Sequence, residues 1–502
     1  MTFFRQLSTL IGAGYPTILI HTYEEDRFEF LIRYYNNKHL NATIYIWDFE
    51  TGYNINPNKR NWSRQNPLKA LEFIDLYKNS NSTFFILKDF HKFLRDVSVS
   101  RKLRNLCRNL KIQRKTIIII TPEVNIPLEL QDLITILEFK LPQLEEIKTE
   151  LVQVFQTFQE YSGNESSFFQ QNLDINFVDS LAQASQGLSI DRIRRVFARA
   201  IIINKQISSK TLELILEEKK QFIKQTEILE FWTTTQNLDS VGGLSILKEW
   251  LRNRSNSFSE QAANYGLPQP RGLLLVGFQG TGKSLVAKSI ANEWGLPLLR
   301  LDIGRLFGSL VGESESRLRE MINILENLSP CVLWIDELDK VFKFSSGDGG
   351  TTNRVLSTFL TWLAEKEAPV FVVATANNIE TLPLEVIRKG RFDEIFFISL
   401  PTSEEREQIF TVHLSSLRPD YYRNYDIRML VNETKDFSGA EIRQSIIEGM
   451  YLAFQKKRDF TTNDILEAIK HIVPLARINP KKIKNLYAWA LSGRIRLASY
   501  FK

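Results

Sequence analysis

The stretch Gly277, Phe278, Gln279, Gly280, Thr281, Gly282, Lys283 and Ser284 is a full G-x-x-x-x-G-K-[ST] pattern. A strand-like run precedes it and a helix-like run follows. Glycines in such a turn let backbone N–H groups wrap a phosphate, and the helix N-terminus adds a favourable dipole. Lys283 is placed to reach the β- and γ-phosphates of a nucleoside triphosphate, and the Ser284 hydroxyl to ligate Mg2+. A Gly-rich turn can also be a plain left-handed turn; the Lys-Ser pair and the next motif argue against that. Cys331–Glu337 (CVLWIDE) sets an apolar run before two carboxylates. Ligands of parallel sheets bind outside the carboxyl ends of the strands, so both acids should face the phosphates. Asp336 would hold Mg2+, directly or through water, and Glu337 would polarise an attacking water as general base. Asn377, which ends VFVVATAN, would orient that water between the sheet and the γ-phosphate. ATP and Mg2+ are the expected cofactors.

The elements that must position these residues alternate along the chain. Gly272–Val276, Leu298–Asp302, Cys331–Asp336, Val370–Ala376 and Glu394–Leu400 read as strands, with helices at Ser284–Trp294, Glu315–Asn327 and Asn353–Glu365. Beyond Pro401 the pattern is helical. Ser346–Gly350 (SGDGG) reads as a flexible loop. The first half repeats the alternation: Thr17–His21, Thr43–Asp48, Thr83–Asp89 and Thr116–Thr121 read as strands and Leu144 to Asn204 as helical. Strands alternating with helices predict a parallel, doubly wound α/β sheet in each half. Ser208–Gln225 reads as a charged connector helix.

The halves carry matching landmarks. Phe84–Asp89 stands where Cys331–Asp336 stands, and Pro127–Leu130 (PLEL) where Pro383–Val386 (PLEV) stands. Leu141-Pro142 with Glu145-Glu146 matches Leu400-Pro401 with Glu404-Glu405, and Gly187 matches Gly439. This order argues for internal duplication over the echoes that any two α/β sheets produce. The first copy lacks the chemistry: His21–Arg27 (HTYEEDR) has no glycine, Phe90 follows Asp89, and no Arg lies between Leu130 and Pro142.

Composition excludes other classes. The 502 residues are 43% hydrophobic and 24% charged, as in soluble globular domains. No uncharged apolar run reaches the ~18–20 residues of a membrane helix. The two Cys, Cys107 and Cys331, frame neither a disulfide scaffold nor a zinc site. The net charge of +6 is mild, and the basic run Arg101–Arg114 alternates with leucines as an amphipathic surface helix does. Met1–Tyr15 reads as neither transit nor signal peptide and runs into a strand. Abundant Phe (34) and scarce Met (4) are what AT-rich codons produce.

Asp239–Leu244 (DSVGGL), the phosphate loop, Leu310–Glu315 (LVGESE), WIDELDK, the ATAN strand, IRKGRFD and FSGAEI stand in the order and spacing of the AAA ATPase family, which residues 237–475 resemble. The whole chain resembles the divergent AAA-domain proteins encoded in chloroplast genomes and cyanobacteria, including the LSGRIR stretch Leu491–Arg496. The resemblance implies a P-loop AAA module, a parallel-sheet domain with a helical lid, preceded by a degenerate AAA-like α/β domain. It implies Asp239 and Gly242 near the adenine, and Gly439-Ala440 opening the lid helix over the base. Two arginines in a turn are ordinarily solvated charge. In a ring-forming ATPase Arg388 and Arg391 would instead reach the γ-phosphate of the neighbouring subunit, worth about 10³–10⁵ in rate. The expected domains are 1–205, a degenerate AAA-like domain; 206–236, a helical linker; 237–400, the nucleotide-binding domain; 401–475, the lid; and 476–502, a basic tail.

Two departures qualify the likeness. Family unfoldases carry an aromatic where this chain has Leu310, which grips a threaded chain less. No Asp-Gly-aromatic triplet occurs in Thr361–Pro369 (TWLAEKEAP). The expected function is an ATP-hydrolysing AAA protein that remodels a protein partner as a homo-oligomeric ring such as a hexamer. The rival readings are a nucleic-acid-dependent motor or loader, for which no recognition module is visible, and a slow nucleotide-gated scaffold. The resemblance implies the chloroplast stroma or a cyanobacterial cytoplasm, with no membrane span.

Overall fold

The computed structural model describes residues 2–54, 62–78, 82–162, 175–204, 209–224, 226, 228–233, 236–307, 313–340, 351–478, 480–490 and 495–500. Leu310 and the loop at 346–350 lie outside them. The chain divides into two compact units, Met1–Thr211 and Leu212–Lys502.

Unit 1 opens with the helix Thr2–Gly12, where the sequence alone leads straight into a strand; the helix buries Phe4 and Leu7 on one face. Its strands are β1 (Thr17–His21), β2 (Thr43–Asp48), β3 (Gly52–Tyr53), β4 (Thr83–Lys88), β5 (Lys115–Thr121) and β6 (Ile134–Glu138). They lie in the order β3-β2-β4-β5-β1-β6, parallel except for β3 on β2. Unit 2 contains β7 (Leu229–Trp232), β8 (Gly272–Gly277), β9 (Leu298–Leu301), β10 (Cys331–Ile335), β11 (Val370–Ala376), β12 (Glu394–Ile398) and β13 (Arg496–Leu497). Their order is β13-β12-β8-β11-β10-β9-β7, parallel except for β7 on β9. Without β3, β7 and β13, both sheets follow one rule. The first strand lies between the fifth and the fourth, and the third and second follow. This shared crossover pattern stands beside the matching order of landmarks in the two halves.

The central strands explain why the sheets form. Leu274, Val276, Leu333, Ile335, Val372 and Ala374 pack on one face of unit 2. Leu273, Leu275, Val332, Trp334, Phe371 and Val373 pack on the other. The period of two is there, but both sides are apolar because helices cover both faces. Lys283–Glu293 and Ser245–Arg252 cover one face, and Glu313–Leu328 and Thr351–Glu365 the other. Unit 1 repeats the scheme, with Leu19, Phe85 and Ile119 on one face and Ile18, Ile86 and Ile118 on the other.

After Pro401 the helices Ser403–Leu417, Ile427–Glu433, Gly439–Gln455 and Thr462–His471 form a lid with its own core around Phe410, Leu430, Ile442 and Ile465. Capping boxes start the helices Ser403–Leu417 and Gly439–Gln455, Thr402 with Glu405 and Ser438 with Glu441. Among the described residues no helix is long and apolar enough to cross a membrane.

Two segments differ from the sequence expectation. The connector is the helix Ser209–Lys224, whose Lys219 and Ile223 are buried; burial pushes the Lys219 ammonium down to about 8. It leads into β7, an edge strand of the second sheet. The basic C-terminal segment is not a free tail. Helix Pro480–Trp489 buries Leu486 in the sheet core, β13 pairs with β12, and the Ala498 carbonyl accepts from the N–H groups of Ile246 and Leu247 at 3.1 and 3.2 Å. Its apolar residues, interleaved with lysines, find the open edge of the sheet. Leu486→Ala is therefore expected to cost about 2 kcal/mol, lowering the thermal midpoint of unit 2 by about 4–8 °C. An unchanged melt would mean that the segment floats free.

Candidate functional site

The polar residues of unit 2 gather where the apolar strands end. β8 finishes at Gly277, where a Cβ would lie 2.1 Å from the Ile398 carbonyl oxygen of the adjacent β12, so no larger residue fits. The loop then turns through Gln279, which is exposed, to Gly282, the N-cap of helix Lys283–Glu293, at φ 94. That left-handed backbone comes freely only to glycine. Inside the loop the Phe278 carbonyl accepts from the Thr281 hydroxyl at 2.8 Å and from Lys283 Nζ at 2.5 Å; Lys283 also donates to the Gly277 carbonyl at 2.9 Å. Lys283 is 6% exposed. Burial pushes its pKa down to about 8, against the opposing pull of Asp336, Asp339 and Glu337.

The ends of β10 and β11 supply the acids. Asp336 Oδ1 accepts from the Ser284 hydroxyl at 3.1 Å and from the Thr375 hydroxyl at 2.7 Å. Glu337 stands in left-handed backbone at φ 53, and its N–H donates to Thr375 Oγ1 at 2.9 Å. Its carboxylate is held from two sides, by Asn377 Nδ2 at 3.1 Å and by the Lys340 ammonium. The Asn377 N–H donates to Asp339 Oδ1 at 3.0 Å. The structure thus brings Lys283, Ser284, Asp336, Glu337 and Asn377 into one connected cluster.

The donor set fits a hard dication. Two oxygens at ~2.1 Å from an octahedral Mg2+ and at right angles stand about 3 Å apart, close to the Ser284–Asp336 separation. Among the described residues no group of three or more His, Cys, Asp or Glu side chains could hold a metal ion. A cation here would take its remaining ligands from phosphate and water, as Mg2+ commonly does.

The other expected site residues lie outside this hydrogen-bonded cluster. Gly439 and Ala440 open a lid helix behind the N-cap Ser438, and the Ala440 N–H donates to the Gly280 carbonyl at 3.0 Å. Gly242 lies against Ile409 of the lid, and Asp239 is exposed and paired with Arg252 at 2.8 Å. Arg388 is exposed after the turn Leu384–Ile387, and the Arg391 guanidinium donates to the Glu385 carbonyl. Neither arginine joins the cluster within this chain.

Residues 273–400 match the model of the ATPase family associated with various cellular activities (AAA). Residues 3–139 match the N-terminal domain, and 145–226 the second domain, of SpoVK-like AAA ATPases. The "Uncharacterized AAA domain-containing protein ycf46" of Trieres chinensis is 53% identical over 501 residues, covering 99% of each chain. The chain belongs to the AAA ATPase family. The ycf46 AAA protein of Pyropia yezoensis is 52% identical, over 99% of this chain and 100% of that one. Further away, the proteasome-activating nucleotidase of Sulfurisphaera tokodaii is 28% identical over 295 residues, 56% of this chain and 73% of that protein. Within this AAA module the sequence motifs passed over Thr375 and Asp339, although both stand inside quoted runs. A hydroxyl within an otherwise apolar strand, and a third acid after Asp336 and Glu337, were the available signals.

The AAA-like unit 1 fills the corresponding place with its own side chains. Asp89 (φ 52) precedes a helical turn as Glu337 (φ 53) does. The backbone therefore matches Asp89 to Glu337 and Lys88 to Asp336, one residue away from the sequence alignment. Likewise Ser189 matches Ser438, each hydroxyl accepting at 3.4 Å from the N–H three residues on, whereas Gly187 lies earlier at φ 82. Charges are interchanged between the copies. Lys88 stands on the strand, 3.2 Å from Glu29, 3.7 Å from Glu25 and 4.0 Å from Asp26 on the helix that follows β1. The Glu24 carboxylate accepts from the Ile190 N–H at 2.7 Å and pairs with Arg27 at 2.5 Å. It joins loop to helix where Gly280 and Ala440 do so in unit 2.

Burial raises the Glu24 pKa, with Arg27 opposing. A raised carboxyl contributes stability that is complete below the unfolded value and lost as pH rises through the folded one. Glu24→Ala should then cost about 1–3 kcal/mol by stranding the Ile190 N–H, while Arg27 keeps Glu146 and the Lys140 carbonyl. Glu24→Gln should cost less than half of that, its gap from the wild type narrowing as pH rises. Hydrogen exchange across residues 190–204 reads both; equal effects of Ala and Gln would refute the bridging role.

Proposed function

We propose that unit 2 binds ATP with Mg2+ and hydrolyses it, and that the chain works as a homo-oligomeric ring that remodels a protein partner. The observation that carries this reading is the unbroken set of hydrogen bonds from Ser284, which follows Lys283, through Asp336 and Thr375 to Glu337 and Asn377, at the carboxyl ends of β8, β10 and β11. Lys283 exchanges its two carbonyl partners for the β- and γ-phosphates. Ser284 and Asp336 hold Mg2+, which when bound neutralises charge on the phosphate oxygens. Glu337 takes the proton of the attacking water, and Asn377 fixes that water by holding the carboxylate. Asp239 and Gly242 border the adenine, and Gly439-Ala440 close over it. Arg388 and Arg391, outside the cluster of their own chain, serve the γ-phosphate of the next subunit. The names of the relatives support a protein client, the proteasome-activating nucleotidase among them. The likeness to the ycf46 proteins supports a plastid location.

Purified chain tests the assignment. Lys283→Ala should lose ATP binding. Glu337→Gln should still bind ATP but turn it over about 10²–10⁴-fold more slowly; full turnover in that variant refutes the general-base role. Mixing Arg388→Ala with Lys283→Ala subunits should recover part of the activity, since intact arginines then face intact loops. Failure of every mixing ratio speaks against action in trans.

A pH dependence follows from Lys283. Its ammonium releases its proton near pH 8 in the nucleotide-free chain, and a neighbouring phosphate raises that value. ATP binding above about pH 8 must then take up a proton, so the Kd should climb by up to about tenfold per pH unit between 8 and 9.5. Calorimetric titration reads this, and Lys283→Arg should flatten it. A Kd constant across that window in the wild type contradicts the assignment.

A further inference from the structure

The geometry points to Thr375 as the positioning residue that sets both carboxylates of this site, a role that rests on the ATPase reading above. Thr375 is 1% exposed inside β11, where a lone hydroxyl must find partners. The β10–β11 ladder reaches its last rung at Ile335 and Ala374. Beyond it Glu337 turns into left-handed backbone, a conformation that disfavours side chains bearing a Cβ. Its N–H is taken at 2.9 Å by the Thr375 hydroxyl oxygen rather than by a backbone carbonyl. The same hydroxyl spends its proton on Asp336 Oδ1 at 2.7 Å, the oxygen that also receives Ser284. One side chain therefore holds the backbone of the base and aims the carboxylate beside Ser284.

Unit 1 supplies an internal control. The register that sets Lys88 beside Ile120 makes Ile120 the counterpart of Thr375. There the N–H of left-handed Asp89 goes to the Ile120 backbone carbonyl at 3.0 Å. The left-handed turn thus forms without a hydroxyl. In unit 1 the counterpart of Asp336 is Lys88, so there is no carboxylate for a hydroxyl to hold. The hydroxyl of Thr375 is accounted for by aiming Asp336 and Glu337, not by the fold.

Thr375→Val keeps the shape and the β-branching and removes both hydrogen bonds; Thr375→Ser keeps both. The expected result for Val is an ATP affinity, measured without Mg2+, within about twofold of the wild type, with kcat lowered about 10–100-fold. The Ser variant should return kcat to within about threefold. In the nucleotide-free chain, hydrogen exchange at the Glu337 amide should be about tenfold faster in Val and unchanged in Ser. Should Val fail to fold, Thr375→Ala gives the same contrast. Wild-type kcat in Val, failure of a folded Ser variant to restore turnover, or an unmoved Glu337 amide overturns the proposal. If the wild type itself hydrolyses nothing, the ATPase reading fails, and the Glu337 exchange rate still decides whether Thr375 holds that residue.

Discussion

The site depends on one constraint: the central parallel strands are covered by helices on both faces. β8, β10 and β11 are buried along their whole length, so isolated charges cannot lie within them without a large desolvation cost. Polar groups are driven to the carboxyl ends, where the crossover of strand order opens a crevice. Lys283, Asp336, Glu337 and Asn377 come from three separate segments and meet there because nowhere else on the sheet tolerates them. The one hydroxyl that lies within the strand, that of Thr375, is satisfied on both its donor and acceptor sides.

The two units show how little backbone change separates a ligand site from a self-contained one. Both carry the same five-strand order and the same left-handed residue after the third strand of that order. In unit 2 the cation sits on the loop and the carboxylates at the strand ends, which suits a phosphate with its dication. Unit 1 holds a lysine on the strand and acids on the helix, so the chain supplies both charges of the pair.

The lid and the C-terminal segment meet the phosphate loop from different directions. Ala440 donates to Gly280 from the lid, while the Tyr487 ring packs 5.5 Å from Phe278 and its hydroxyl accepts from the Leu400 N–H at 3.3 Å, next to the start of the lid. The loop is therefore in contact with a residue that also touches the segment leading into the lid.

Residue order alone determined the local patterns: which Gly-rich turn opens the helix Lys283–Glu293, which strand ends in two acids, and that two α/β halves alternate in the same rhythm. These are contiguous patterns whose spacing carries their geometry. Short edge strands such as β6, β7 and β13 were not legible, because a few residues gain strand structure only from the neighbour they pair with. The alignment of the copies slipped by one residue at Asp89 and by three at Gly187, since backbone dihedrals, not residue types, define those positions. Tertiary structure alone decided that Thr375 bridges Asp336 and Glu337, that Asp339 receives the Asn377 N–H, and that the basic end of the chain closes the sheet edge. Each of these joins residues distant in sequence by atoms about 3 Å apart, a proximity created by folding that no linear spacing encodes.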